Sequence, residues 1–259
     1  GGLMTAVLQQ WGHRVTAIEV DPEAAAHGAP YAEEMIVADL DDEHVLDRFV
    51  GADFDVILAA DVLEHLRSPT DVLRRAVQCL RRDGAVHLSI PNVAHADVRL
   101  ALLGGDFRYA ESGLLDRTHI QMFTVATLMD MIRDAGLAPE TLQRLQFPIG
   151  GTEVPVDENL VEFGRRVLAG DPDAETYQWL VTCRRAEVLG DCAARPALPG
   201  PGGVVSGVLS ALHQPVPHPD PLPVHVGDPN LVGGRDLAVA LGRRVVSRGR
   251  RSVGSLIRR

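Results

Sequence analysis

From the first residue to about Arg185, helically spaced apolar residues alternate with short apolar runs, the rhythm of repeated βα units. Leu3–Trp11 reads as a helix, Arg14–Glu19 as a strand, and Pro22–Ala26 as a short helix with proline early in its first turn. A strand follows over Glu34–Ala38 and a helix over Asp42–Val50. Phe54–Ala60 (FDVILAA) is an almost unbroken apolar run, the pattern of a parallel strand covered on both faces. Ser68-Pro69 opens a helix to about Leu80, with Gly84 beyond its end, and Ala85–Ile90 is a strand stopped by Pro91-Asn92. Thr124 is placed to cap a helix that runs through Ala135 and closes at Gly136. Weaker strands are expected over Glu140–Phe147 and Glu175–Arg184, with a helix near Glu158–Ala169 between them. The sum is an α/β fold, a Rossmann-like doubly wound and mainly parallel sheet with helices on both faces. Residues 94–123 break the rhythm after a strand's carboxyl end, where inserts that cover a ligand are found, and are expected to form a helical lid.

The character changes after Arg185. Residues 186–234 hold nine of the 17 prolines and eight glycines, including PGPGG and PVPHPDPLPV, and read as an extended linker. Residues 235–259 are rich in arginine with interspersed Leu, Val and Ile, a basic amphipathic helix interrupted by Gly242, Gly249 and Gly254. Both segments are expected to be dispensable for folding. The charge divides at the same place: residues 1–185 carry 16 Arg against 30 acids, and residues 186–259 carry 9 Arg against 5. A net charge of -10 argues against wholesale nucleic-acid binding. The tail remains a candidate contact for an anionic membrane or a partner enzyme. Cys79, Cys183 and Cys192 form no CxxC pair, which fits a reduced, cytoplasmic setting. His213, His218 and His225 lie in the proline-rich stretch at irregular spacing and read as solvated.

The chemistry begins at Gly1. Gly1-Gly2 opens a helix, and the next strand ends in Glu19, 17 residues after Gly2. A glycine turn lets backbone approach a ligand closely, and a carboxylate at the following strand end is placed to hold a ribose. The order of glycine loop, strand ending in Glu19, strand followed by Asp39 (IVADLDD) and FDVILAADVLEHL resembles the class I S-adenosylmethionine-dependent methyltransferases. Within them it is most similar to the ubiquinone-biosynthesis O-methyltransferase type and to bacterial enzymes that modify sugars and metabolites. That resemblance covers residues 1–185 and implies S-adenosylmethionine as cofactor. It assigns Gly1 and Gly2 to the last two positions of a GxGxG loop, Glu19 to the ribose and Asp39 to the adenine amino group, with Asp41 and Asp42 as competitors. It puts Ala60 and Asp61 beside the methionine part. The strand that precedes the glycines in that family is lacking, so a chain beginning at Gly1 is expected to be unstable, to bind weakly, or to be a non-catalytic fragment.

Two further motifs bear on catalysis. Asp61-x-x-Glu64-His65 places three ligand-type side chains on one helical face, and relatives with a similar ExxEH and a distant histidine bind a divalent metal. Here the first position is Asp, so a structural or substrate-lining role is expected and no metal is assigned. DRTHIQMFT contains His119, a candidate general base for a substrate hydroxyl or, alternatively, a hydrogen-bonded fastening of the lid. Arg117 and Asp116 are read as a structural pair or an anion contact, and Tyr109 and Arg99 as further pocket candidates. The implied activity is methyl transfer to a hydroxyl of a sugar or small metabolite.

Overall fold

A computed structural model describes residues 2–189 and 236–241. Among these residues seven strands form one sheet in the order β2-β1-β7-β3-β4-β6-β5: β1 (Arg14–Glu19), β2 (Glu34–Val37), β3 (Phe54–Ala60), β4 (Leu80–Pro91), β5 (Leu137–Gln146), β6 (Thr176–Arg185) and β7 (Asp236–Leu241). β2, β1, β7, β3 and β4 run parallel, whereas β6 pairs antiparallel with both β4 and β5. The doubly wound α/β reading holds.

The position between β1 and β3, where a strand preceding the glycines would run, is filled from elsewhere in the chain. β7 lies there, with Ala17 opposite Val239 on one side and Leu58 opposite Val239 on the other. The tail pattern predicts an amphipathic helix over these six residues. Their sequence, Asp-Leu-Ala-Val-Ala-Leu, is instead a short apolar run of the kind a central parallel strand requires. The rest of 190–259, including Cys192, the three histidines and most of the expected linker, lies outside the described residues. Ala186–Leu189 form a short helix, α7, which carries regular structure past Arg185.

Alternation along the strands divides the core. Val15, Ala17 and Val56 pack with Leu8 of α1 (Leu3–Gln10) on one face. Ile57, Ala59, Val86 and Leu88 meet Leu73 and Val77 of α3 (Pro69–Cys79) and Leu128, Met131 and Ile132 of α5 (Val125–Asp134) in the largest cluster. Thr124 caps α5 in a reciprocal box with Thr127, and Gly136 follows at φ +81°, as its sequence predicts. α2 (Pro22–Gly28) starts from an Asp21 cap. The helix expected over Asp42–Val50 is absent. Asp42 uses its carboxylate on the His44 N–H and its carbonyl on the Val45 N–H, and only Asp47–Phe49 winds into a 3₁₀ turn before Gly51 at φ +76°. β4 begins five residues earlier than expected, so Gly84 lies within a strand.

The insert after β4 contains α4 (Ala96–Leu103) and packs on α6 (Glu158–Val167) through Leu100, Leu160 and Val161. A buried polar anchor fastens it. His95 accepts from the Asp97 N–H and donates to the Phe147 carbonyl at 3.1 Å. The Asp97 carboxylate accepts from the Gly150 and Thr152 N–H groups and the Thr152 hydroxyl. Locally His95 only caps α4 through the Asp97 N–H; the partners that make the anchor, Phe147, Gly150 and Thr152, lie more than 50 residues downstream, where no local signal points to them. Among the described residues no helix is long and apolar enough to cross a membrane.

Candidate active site

In this strand order, the β1-to-β2 connection winds to one side of β7 and the β3-to-β4 connection to the other. The topological switch point, where open α/β sheets bind ligands at the strands' carboxyl ends, therefore lies at β7. Glu19, Asp39, Ala60 and Asp61 lie at this edge, on the last residues of β1 and β3 and in the turns after β2 and β3. Glu19 is only 1% exposed, and one carboxylate oxygen accepts from the Asp21 N–H at 3.1 Å while the other has no hydrogen-bond partner. Burial raises its pKa above the ordinary carboxylate value, with the neighbouring N–H groups opposing the shift. A buried acceptor without a donor is costly unless a ligand supplies one. Beside it, Ile18, Val20, Ala38, Asp39, Leu40, Val62, His65 and Leu66 line a small, largely apolar cavity. Asp39 also accepts from the Asp41 N–H at 3.0 Å, and Asp41 accepts from the Arg67 N–H. Of the competing acids, Asp39 lines the cavity and Asp41 closes a loop.

Gly2 has a different visible duty. Its φ is +85°, and a side-chain carbon there would meet the His27 carbonyl at 3.0 Å, so glycine is needed for α1 to lie against the end of α2. Gly1 falls outside the described residues.

The second half of the site is a cluster of acceptors. Glu64 and His65 lie in a buried 3₁₀ turn after β3, and His119 comes from the lid. A carboxylate oxygen of Glu64 and ring nitrogens of both histidines lie within 4.8 Å of one another, and the two rings stand 4.9 Å apart. His65 Nδ1 faces the Thr118 carbonyl at 3.0 Å, and His119 Nδ1 faces the Leu114 carbonyl at 3.3 Å. Carbonyl oxygens only accept, so in both rings Nδ1 carries a proton, and in a neutral imidazole of this tautomer Nε2 presents the lone pair. Glu64 is fully buried with neither carboxylate oxygen partnered, and burial together with the Asp61 charge pushes its pKa up to about 8. The His119 pKa is lowered, first by burial and then by His65.

Asp61 does not share a helical face with Glu64 and His65, as its spacing predicts. It occupies the left-handed region at φ +55° in the turn before them, outside the cluster that could hold a metal. Other candidates are elsewhere engaged. Arg117 pairs with Glu111 instead of Asp116, whose carboxylate binds Thr118; Arg99 pairs with Asp171 at 2.7 Å; and Tyr109 is exposed against Phe107. Three residues that carry no sequence motif also face this region: Ser89, Tyr177, whose hydroxyl donates to Glu153 at 3.2 Å, and Gln178.

Glu64 sets a pH dependence for stability. A carboxyl whose folded pKa is about 8, against 4.5 as the ordinary value, stabilises the fold fully below about pH 4.5, and that contribution is lost as pH rises through about 8. Glu64→Gln is therefore expected to match the parent near pH 4.5 and to melt at a higher temperature at pH 9. Parallel melting-temperature profiles for the two proteins across that range would remove the buried neutral acid.

The sequence pattern described as "Methyltransferase domain" matches residues 1–142, more than half of the chain. The chain belongs to this methyltransferase family. It is of the class I type, whose cofactor is S-adenosylmethionine. A ubiquinone biosynthesis O-methyltransferase of Xanthomonas oryzae pv. oryzae is 29% identical over 111 residues, 41% of this chain and 46% of that protein. The Xanthomonas axonopodis pv. citri protein of the same name is 28% identical over 152 residues, 57% and 63% of the two chains. The chain thus spans about half the length of the curated relatives it matches. Among solved structures, a 1,6-didemethyltoxoflavin-N1-methyltransferase of Burkholderia thailandensis, with S-adenosylhomocysteine bound, is 22% identical with a TM-score of 0.44, covering 71% of this chain and 67% of that one. The residues at the sheet edge fit such a cofactor. Glu19 has a buried oxygen that lacks a donor, which a ribose hydroxyl would supply, and the cavity by Asp39 is lined mainly by apolar side chains, as a flat base requires.

Proposed function

We propose that this chain transfers the methyl group of S-adenosylmethionine to a hydroxyl of a sugar or small metabolite, with His119 accepting the hydroxyl proton. The cofactor supplies a methyl group already activated by its sulfonium, so the protein's share is orientation and proton removal. Glu19, Asp39, Ala60 and Asp61 would hold the cofactor, with Gly1 and Gly2 in the loop before α1. His119 would receive the proton at Nε2, and its lowered pKa keeps that atom unprotonated at neutral pH. The observation that carries the reading is the His119 tautomer, fixed by the Leu114 carbonyl so that an acceptor nitrogen is free for a substrate.

A second reading rests on Glu64. Its two unpartnered oxygens lie beside ring nitrogens of two histidines, and a divalent cation would hold that set together with Glu64 deprotonated, as a proton does with Glu64 neutral. Glu64, His65 and His119 would then be the ligands. No basic tail contact or partner enzyme is needed by either reading.

Calorimetry with S-adenosylhomocysteine tests the cofactor half directly. The parent chain is expected to bind, and Glu19→Ala to weaken binding by about 1.5–3 kcal/mol through loss of charge-assisted hydrogen bonds. Equal affinities would take Glu19 out of the site.

A further inference from the structure

Asp61 is held in place from the far side of the sheet. Its backbone sits at φ +55°, in the left-handed region that aspartate enters more readily than most non-glycine residues, and tertiary hydrogen bonds fix it there. The Asp61 N–H donates to the Ser89 carbonyl at 3.1 Å, which ties the turn after β3 to the end of β4. The side chain is tied by Gln178. Gln178 lies at the start of β6, opposite Pro91 in the antiparallel ladder with β4, and its side-chain amide donates both to Asp61 Oδ1 and to Ser89 Oγ, the latter at 2.6 Å.

The chemistry of this pairing is specific. A primary amide carries two N–H donors on one nitrogen, and Gln178 uses one for each oxygen. A glutamate of the same shape would offer only acceptors at neutral pH and would add a second negative charge beside Asp61. The bridge joins three strands at the edge next to the switch point: β3 through Asp61, β4 through Ser89 and β6 through Gln178. It also fixes a charge that acts on its surroundings, since Asp61 helps to raise the pKa values of both Glu64 and Tyr177.

We propose that Gln178 is a positioning residue for the cofactor site, holding the Asp61 carboxylate, through the Gln178–Ser89 bridge, in the orientation that faces the methionine part of S-adenosylmethionine. This rests on the proposed placement of the cofactor beside Asp61. It assigns a role at the cofactor to a strand, β6, that the motifs of residues 1–61 do not reach.

The test measures S-adenosylhomocysteine affinity and thermal unfolding together, in the full chain, for the parent, Gln178→Glu, Asp61→Asn, the double variant and Ser89→Ala. Gln178→Glu is expected to weaken binding about tenfold, with the melting temperature within about 2 °C of the parent, since Asp61 is exposed and little core packing changes. In the double variant the pair is reversed, with an amide donor on β3's turn and a carboxylate acceptor on β6. Its affinity is expected to equal that of Asp61→Asn alone, because Gln178 acts only through residue 61. Ser89→Ala should lose about threefold. Unchanged affinity in Gln178→Glu overturns the proposal, and so does a double variant that loses the product of the two single effects. A large drop in melting temperature for Gln178→Glu that the reversed pair does not repair would make the bridge structural and overturn it as well. A parent chain that fails to bind S-adenosylhomocysteine would sink the cofactor reading itself, a result distinct from any of these.

Discussion

A chain ending at Leu189 is expected to lose cooperative thermal unfolding and to bind S-adenosylhomocysteine at least about 100-fold more weakly than the full chain. The reason is β7. Its removal leaves β1 and β3 facing each other across an empty strand position, with five residue pairs lost on each side. At a net worth of about 1 kcal/mol per backbone hydrogen bond, a loss on the order of ten such bonds is comparable to the whole stability of a domain, about 5–15 kcal/mol. Unpaired strand edges would also invite aggregation. The cofactor site suffers with the sheet, because the switch point is where β7 lies. Val239→Pro in the full chain removes one N–H from a strand paired on both sides and is expected to act in the same direction. A shortened chain that melts in one transition within about 3 °C of the parent would show that the sheet does not depend on β7.

His119→Ala is expected to lower kcat by about 10²–10⁴-fold while leaving S-adenosylhomocysteine affinity almost unchanged, if His119 is the base. The parent's rate should then rise with pH through a midpoint below the ordinary histidine value and level off by neutrality, because burial and His65 lower the His119 pKa. Chelators should have no effect. The metal reading gives the opposite pattern: chelation abolishes turnover, added Mg²⁺, Mn²⁺ or Zn²⁺ restores it, and Glu64→Gln is damaged nearly as much as His119→Ala. It also predicts that metal raises the melting temperature most at high pH, where Glu64 gives up its proton most readily. A His119 that only fastens the lid would show a lower melting temperature with modest kinetic loss. Each outcome selects one role.

The elements were legible wherever a local signal matched the tertiary demand. FDVILAA is a strand because it is apolar on both faces, and β3 is covered on both. Thr124 and Gly136 bound α5 because capping is a contest among neighbouring backbone groups, which sequence alone displays. Asp42–Val50 failed for the same local reason in reverse, since closely spaced aspartates offered the backbone turn bonds in place of a helix. Glu19 and Asp39 could be placed because a strand end in a βα unit fixes which edge of the sheet a residue reaches.

What the sequence by itself determined is therefore the βα order, the methyltransferase resemblance and the edge on which Glu19, Asp39, Ala60 and Asp61 stand. The tertiary structure alone decided everything that depends on partners distant in the chain. β7 is one case: Asp236 and the five apolar residues after it form a short run within an arginine-rich tail, and only their pairing between β1 and β3 makes them a central strand. The Glu64, His65 and His119 cluster is another, where spacing suggested a face shared with Asp61 and the fold excluded Asp61 by a left-handed turn. Gln178 is the last, bonded to a residue 117 positions away. Local propensity is written in neighbouring residues, whereas burial, lone-pair direction and charge coupling are set by which strands meet, and no short window of sequence contains that.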